Sequence, residues 1–304
     1  MSRQVDKLMP PSEIRKKKVI VASASRSGTL GLYGAMKILG YRPYHLYECV
    51  CIHGATHINI FKQAVIAQFN WLSGVRRLKK SDCEKWLADY DMSPFDQKAD
   101  ESQCIIEISS YLGMDVIEAY AEDPEVKFIL TERDPRKWAQ SFNNTSAKVV
   151  TLSSTFPFNV LKYFHGDLYH FMDMNVLVYQ ALASGTKPGD PENEDILREY
   201  YSSYIKNVKS TIPADRLCLI QLEDGIDWDT ICPFLGVPVP KEDYPDRNQP
   251  ERFEYLLNEF LQPRVRTAML RCGAVAAAAL GIIGWAATTR GPSLLPRFMG
   301  ISPP

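Results

Sequence analysis

The stretch from Val19 to Gly40 decides the fold, and it reads Val-Ile-Val-Ala-Ser-Ala-Ser-Arg-Ser-Gly-Thr-Leu-Gly-Leu-Tyr-Gly-Ala-Met-Lys-Ile-Leu-Gly. Its apolar, β-branched start predicts a short buried strand, and the small and hydroxylated residues that follow predict a tight loop. Apolar residues between Leu32 and Leu39 then recur with the period of an amphipathic helix, and Gly40 is the glycine expected just beyond its end. A strand that leads through such a loop into a helix predicts an anion site, because backbone N–H groups and the helix dipole favour negative charge there.

The loop keeps the anion-binding features of a nucleotide triphosphatase loop but lacks two of its chemical groups. When Gly28 is aligned with the second glycine of the GxxxxGK[ST] pattern, Thr29 stands at the lysine and Leu30 at the hydroxyl that would hold magnesium. Arg26 supplies a guanidinium, which can donate two hydrogen bonds to phosphate or sulfate oxygens. We therefore expect a phosphate or sulfate site that uses no metal.

Length, charge and cysteine content narrow the class of protein. With 304 residues, one α/β domain with a tail is as plausible as two domains, and a formal net charge of −1 does not suggest a nucleic-acid partner. The seven cysteines lack the spacing of a metal site, so we expect reduced thiols. Residues 1–18 form a polar lead-in without the apolar core of a secretory signal.

Predicted strands and helices alternate through residues 19–262, which we assign to one domain. After the first strand, further strands are predicted at Tyr41–Ile52, Cys104–Ile108, Val126–Thr131 and Leu217–Leu222. Segments with helical spacing lie between them. This alternation indicates a three-layer α/β/α fold with a mostly parallel sheet, whose ligand binds at the carboxyl ends of the strands.

The C-terminal region differs in composition from the rest of the chain. Cys272–Thr289 is a run of eighteen uncharged residues, mostly small or aliphatic, and Ala268–Leu270 extend it. Its apolar length approaches the roughly 20 residues of a membrane-spanning helix, and arginines flank it on both sides. With only the short tail 290–304 behind it, we expect residues 268–289 to anchor a cytoplasmic-facing protein to a membrane. The alternative is a buried, alanine-rich helix packed on the domain.

A second anion-binding element lies near the middle of the chain. Arg133 follows a buried strand, and Ser141 comes eight residues later in a helix that Asp134 is expected to cap and Pro135 to begin. Together with the loop around Arg26, a strand-end arginine and a helical serine at this spacing resemble the sulfotransferases that use 3′-phosphoadenosine 5′-phosphosulfate (PAPS).

More narrowly, the chain resembles sulfotransferase family 4, a P-loop group of sulfotransferase-like proteins in fungi and invertebrates. The matching stretches follow one order along the chain and are Val19–Gly40, Tyr44–His45, Phe128–Ser141, Ile212–Leu217 and Trp228–Asn248. The resemblance, which ends near Phe253, implies a P-loop NTPase-like fold. It also implies in-line transfer of a sulfuryl group from PAPS to an acceptor hydroxyl.

The resemblance assigns residues to the two halves of PAPS. Those implied to cradle the phosphosulfate are Ser25, Arg26, Ser27, Gly28, Thr29 and Leu30, and those implied to bind the 3′-phosphate are Arg133 and Ser141. Leu30 departs from the pattern, since many PAPS enzymes have a second Ser or Thr there. The cradle then lacks one hydroxyl but keeps the backbone N–H.

Three residues are candidates for the general base that takes the acceptor's proton, while Arg26 is expected to stabilise the anionic transition state. Glu48 is the first choice, because it follows Arg26 by 22 residues, like the catalytic glutamate of Golgi-type sulfotransferases. His45 occupies the family's Tyr-His position and titrates nearer neutrality. The two lie an odd number of residues apart on a predicted strand, so only one is expected to face the site. Glu107, at the end of a buried strand, is the third candidate.

The acceptor is expected to be a small, apolar, hydroxylated molecule, such as those of secondary metabolism. The aromatic and methionine-rich stretch Thr151–Ala183 is either core or a cap over an apolar acceptor pocket. Two other functions remain open. The same scaffold could promote elimination or cyclisation of a diphosphate or sulfate substrate, or it could serve as a non-catalytic, membrane-tethered nucleotide-binding protein. The sequence does not identify the acceptor or the oligomeric state.

Overall fold

The computed structural model describes residues 3–9, 17–70, 73–91, 103–245 and 250–289. Within these ranges one parallel sheet has the strand order β2-β3-β1-β4-β5. Its strands are β1 (Lys17–Val21), β2 (Arg42–Tyr44), β3 (Gln103–Ile106), β4 (Lys127–Glu132) and β5 (Leu217–Gln221). The predicted tail 290–304 and half of the predicted lead-in 1–18 lie outside the described residues.

The α-helices of the described residues are numbered in chain order. They are α1 (Thr29–Ile38), α2 (Ala55–Phe69), α3 (Lys80–Asp91), α4 (Ser109–Leu112), α5 (Met114–Ala121), α6 (Pro135–Phe142), α7 (Lys148–Ser154), α8 (Phe158–Leu161), α9 (Gly166–Leu182), α10 (Asn193–Thr211), α11 (Trp228–Leu235) and α12 (Pro250–Thr289). Short π-helices span Glu48–Ile52 and Asn143–Ala147, and 3₁₀-helices span Gln4–Lys7, Lys162–Phe164 and Ala214–Arg216.

Helices cover both faces of the sheet, which confirms the predicted three-layer architecture. Successive side chains of a strand point to opposite faces. Ile20 and Phe128 face one side, where they pack with buried residues of α2, α5, α6, α9 and α10. Val21 and Ile129 face the other side and pack with α1 and α11. The loops at the carboxyl ends of the strands therefore lie between two packed helical layers.

The predicted helix signals around the first loop and the second anion element are confirmed. Gly40 takes a φ of +80° just beyond α1, as the glycine after a helix often does. The Asp134 side chain accepts a hydrogen bond from the Lys137 N–H at 2.9 Å, and Pro135 is the first residue of α6. Both elements therefore enter their helices as the sequence indicates.

The predicted strand Tyr41–Ile52 is wrong beyond Tyr44. After β2 the chain turns into a short helical segment, because side chains bond locally to the backbone. The Glu48 carboxylate accepts the His45 N–H at 3.1 Å, and His45 Nδ1 accepts the Tyr47 N–H at 3.0 Å. Because His45 and Glu48 are not on a strand, their side chains need not point to opposite faces of the sheet, and the expectation that only one of them faces the site no longer follows.

The apolar C-terminal run is exposed, so the alternative of a helix buried on the domain is wrong. Ala268 of α12 is fully buried, but all residues from 273 to 289 except Ala286 are exposed. The span Asn258–Thr289 contains an 18-residue window with a mean hydropathy of 1.6, of which 6% is buried. By length and composition alone, this helix could cross a membrane.

Gly28→Ala is expected to destabilise the protein more than Gly40→Ala. Both glycines have a φ of +80°, which costs a residue with a Cβ about 1–2 kcal/mol. A Cβ at Gly28 would also lie 2.9 Å from Leu222 Cδ1, whereas one at Gly40 meets nothing within 4 Å. Overpacking should add about 1 kcal/mol at Gly28, the low end of its usual range, because the atom that must shift is the terminal methyl group of a side chain. Thermal unfolding of both variants measures the difference, and equal losses of Tm would contradict the steric explanation.

Candidate active site

The loop between β1 and α1 turns sharply through two left-handed residues. Arg26 has a φ of +69° and Gly28 a φ of +80°, and the Ser27 N–H donates to the Ala24 carbonyl at 3.2 Å. Because α1 begins at Thr29, the N–H groups of its first turn have no acceptor within the helix. Together with the helix dipole, they provide the donors that an anion needs.

Hydrogen bonds from β4 and α6 hold this loop in place. Ser23 Oγ accepts the Thr131 N–H at 2.8 Å, and the Thr131 hydroxyl donates to the Ser27 carbonyl. The indole Nε1 of Trp138 donates to the Ser25 carbonyl at 2.7 Å. The loop is thus positioned before any ligand arrives, which lowers the entropic cost of binding.

The two anion-binding elements predicted from the sequence lie side by side. Arg26 Nε donates to Ser141 Oγ at 3.4 Å, and Arg133 Nη1 donates to the Arg26 carbonyl at 3.0 Å. Burial lowers the pKa of Arg26, and the neighbouring charge of Arg133 adds to this effect although Glu107 opposes it. Two guanidinium groups and a hydroxyl at one place favour a polyanion as ligand.

The carboxylate of Glu107 accepts a hydrogen bond from a hydroxyl group of the loop. Glu107 follows β3 with a φ of +68° and is 3% exposed. Its Oε2 accepts hydrogen bonds from Thr29 Oγ1 at 2.9 Å and from His45 Nε2 at 2.6 Å. Left-handed backbone at a residue with a side chain is uncommon and clusters at functional sites.

The surrounding donors keep Glu107 ionised and fix the proton of His45. Burial alone would raise the pKa of Glu107, but His45 and the Ser25 and Thr29 hydroxyls outweigh it and lower that pKa below its ordinary value. Because the Tyr47 N–H donates to His45 Nδ1, the imidazole carries its proton on Nε2, where it donates to Glu107. His45 therefore orients the carboxylate.

Glu48 lies close to this pair but does not reach the cavity beside it. Its carboxylate accepts hydrogen bonds from the Tyr33 hydroxyl and from the His45 N–H. Burial raises the pKa of Glu48, although these hydrogen bonds oppose the rise. Glu48 is absent from the described residues that line the cavity, whereas His45 and Glu107 are among them. The structure thus brings the second and third base candidates, but not the first, to the site.

A cavity of about 160 Å³ joins this polar cluster to an apolar wall. Its polar end includes Arg26, Thr29, His45 and Glu107. Its apolar end is formed by Val50, Val149, Phe171, Met174, Val178 and Phe260. The stretch Thr151–Ala183 serves as both core and cavity wall, since α9 also buries Leu168 and Tyr179 away from the cavity.

The other predicted site residues divide between the cavity and its surroundings. Ser25, Gly28 and Leu30 line the cavity. Ser27 does not, since its side chain is buried near Tyr201. Arg133 and Ser141 reach the loop from β4 and α6 without lining the cavity. No group of three His, Cys, Asp or Glu side chains within the described ranges is placed to hold a metal ion.

Glu107 is the third of the base candidates that the sequence predicts, and Phe260 is not among the predicted site residues. A lone acidic residue that ends an apolar strand is a usable signal for Glu107, because parallel strands end at one edge of the sheet. Its importance depends on β3 lying next to β1, which the sequence did not reveal. Phe260 is nearly 120 residues from its nearest preceding predicted site residue, Ser141, and no motif includes it.

A parallel α/β domain with a cation-lined anion loop beside an apolar cavity has the architecture of a group-transfer enzyme. A family model described as a sulfotransferase domain (Sulfotransfer_4) matches residues 18–253, and the chain belongs to this family as a sulfotransferase-like transferase. Among its relatives, Ava biosynthesis cluster protein M of Aspergillus versicolor is 28% identical over 228 residues, which are 75% of this chain and 79% of the relative. The crystal structure of a sulfotransferase from Alicyclobacillus acidocaldarius aligns with 83% of this chain and 94% of its own, at 15% identity and a TM-score of 0.38.

Proposed function

We propose that this protein uses PAPS to sulfate a hydroxyl group of a small, apolar acceptor. The observation that carries the proposal is the cavity itself. It joins an anion-binding loop to an apolar wall and has an ionised, buried carboxylate between them. The name of the Aspergillus relative refers to a biosynthesis cluster, which supports an acceptor from secondary metabolism.

The donor groups of the loop fit the charges of PAPS. The N–H groups at the start of α1 and the Arg26 guanidinium would hold the phosphosulfate, and Arg133 with Ser141 would hold the 3′-phosphate. Leu30 stands where a magnesium-binding hydroxyl occurs in triphosphatase loops, so this donor set suits a substrate bound directly by protein. When bound, PAPS supplies the activated sulfuryl group.

Glu107 and His45 are placed to manage the proton of the acceptor. The Glu107 carboxylate accepts the hydroxyl proton as the acceptor oxygen attacks, while His45 holds that carboxylate in position. Arg26 and the N–H groups of α1 stabilise the negative charge of the loose transition state. The apolar wall excludes water, which strengthens these electrostatic interactions and protects the donor from hydrolysis.

Arg133→Ala is expected to weaken the binding of adenosine 3′,5′-bisphosphate about 10- to 100-fold, because a hydrogen bond to a charged group contributes about 1.5–3 kcal/mol. Isothermal titration calorimetry measures this loss. The control is Arg198→Ala, which removes an exposed arginine paired with Asp195 at 2.9 Å and should bind normally. If the wild-type protein shows no binding at millimolar ligand, PAPS is not its substrate and the elimination or cyclisation alternative gains support.

Glu107→Gln is expected to lower the rate of sulfate transfer from labelled PAPS about 10²- to 10⁴-fold, the usual contribution of a general base. Since the pKa of Glu107 is lowered, the wild-type rate should fall with decreasing pH only below the ordinary range of a glutamate carboxyl. Glu48→Gln is the matched variant and should retain most of the rate. Loss of transfer in a folded Glu48→Gln protein, with Glu107→Gln active, would make Glu48 the base. Nucleotide binding without transfer in the wild type would support the non-catalytic alternative.

We also propose that α12 anchors the domain to a membrane. The 17 residues 273–289 extend about 26 Å at roughly 1.5 Å per residue, close to the ~30 Å of a bilayer's hydrocarbon core. Tyr163 is exposed and precedes Phe164, whose carbonyl accepts a hydrogen bond from the Arg271 guanidinium of α12 at 3.2 Å. Tyrosine side chains favour the membrane–water interface, so the position of Tyr163 supports an anchor that begins near Arg271.

A double substitution, Leu280→Arg with Ile283→Arg, is expected to release the protein from membranes. Each arginine at the centre of a spanning helix costs about 2.5–3.5 kcal/mol on insertion scales. Liposome flotation should recover the wild type with the lipid and the double variant in the soluble fraction. Val239→Arg, at an exposed position outside α12, is the control and should float. A double variant that floats like the wild type would contradict the anchor.

A further inference from the structure

Phe260 belongs to α12, beyond the residues that match the sulfotransferase family, yet it forms part of the cavity wall. The family match ends at residue 253. Phe260 is 4% exposed and lines the cavity together with Phe171 and Met174 of α9. The rings of Phe260 and Phe171 lie 5.0 Å apart between centroids at 53°, a favourable aromatic geometry. A helix outside the family's matched region therefore closes the apolar end of the site.

Arg264 holds Phe260 against α9. Its guanidinium lies over the Phe260 ring, 3.9 Å from the centroid, and its Nη1 donates to the Phe260 carbonyl at 2.9 Å. Arg264 Nε also lies 3.5 Å from Asp167 Oδ2 on α9. The cation–π contact, the hydrogen bond and the ion pair all involve the same turn of α12. The Phe260 ring therefore has little freedom to move out of the wall.

The volume of the cavity limits what the apolar end can hold. A dry cavity of about 150 Å³ accommodates one benzene molecule, and the cavity here measures about 160 Å³. Part of that space lies next to Arg26, Thr29 and Glu107, where the reacting groups must meet. Phe260 and Phe171 lie side by side in the apolar lining, so removing the Phe260 ring would add space to this part of the cavity.

We infer that Phe260 limits the size of the acceptor, so that the wild-type site favours alcohols with one ring over those with two. That the bound alcohol is an acceptor rests on the proposed function. The size limit itself is a property of the cavity and can be measured without sulfate transfer. It makes the exposed C-terminal helix a structural part of the site.

The test compares the binding of phenol and 2-naphthol to the whole chain of residues 1–304 in detergent by calorimetry, without PAPS. The ratio of the two dissociation constants, naphthol over phenol, should fall at least about tenfold in Phe260→Ala, because removing the ring opens space for the second one. The ratio for Phe260→Leu should lie between the ratios for Phe260→Ala and the wild type. This variant keeps the test valid if the alanine variant does not fold. Leu261→Ala, a half-buried neighbour that does not line the cavity, is the control for partition into detergent and should leave the ratio unchanged.

An unchanged ratio in the folded Phe260 variants would overturn the inference, and so would a wild-type protein that binds neither alcohol. Sulfate transfer, measured separately with labelled PAPS, keeps the two proposals distinguishable. A shifted ratio without transfer in any variant upholds the size limit and refutes the proposed function. Transfer to both alcohols, with the same preference in all variants, upholds the proposed function and refutes the size limit.

Discussion

The hydrogen bonds that tie the β1–α1 loop to β4 and α6 are the constraint on which the rest of the site depends. Arg26 and Gly28 both adopt left-handed backbone, and the cost of such a conformation at Arg26 must be offset by surrounding contacts. The Thr131 backbone and the Trp138 indole provide those contacts at 2.8 and 2.7 Å. With the loop pinned, Arg26 faces Arg133 and Ser141, while Thr29 faces Glu107.

Burial of Glu107 is acceptable only because of the groups that surround it. An unpaired carboxylate in the interior is strongly disfavoured, and removing one partner of a buried charged pair commonly costs about 3–5 kcal/mol. Here His45 and the Ser25 and Thr29 hydroxyls satisfy the charge. The same low-polarity surroundings strengthen each of these hydrogen bonds. The carboxylate thus remains ionised beside an apolar wall, a combination suited to taking a proton from a hydrophobic alcohol.

The helix α12 has two environments along its length, and each follows from its side chains. Phe260 and Ala268 are buried against the domain, and Arg264 forms an ion pair with Asp167 of α9. Beyond Cys272 the helix carries no charged residue before Arg290, and its large apolar side chains are exposed. One helix therefore contributes both a residue of the cavity wall and an exposed apolar extension.

The amino-acid sequence by itself determined the features that depend on neighbours along the chain. The strand, loop and helix of Val19–Gly40, the cap of α6 and the apolar C-terminal run could all be predicted, because hydrophobic period, capping residues and apolar length are local properties. The positions of the three base candidates relative to the cavity could not be predicted. They depend on the order of the strands, which places β3 beside β1, and on the contacts of the His45 and Glu48 side chains with the backbone, which end β2 early. Only the tertiary structure could decide these points, because they depend on contacts between side chains and segments that local patterns do not encode.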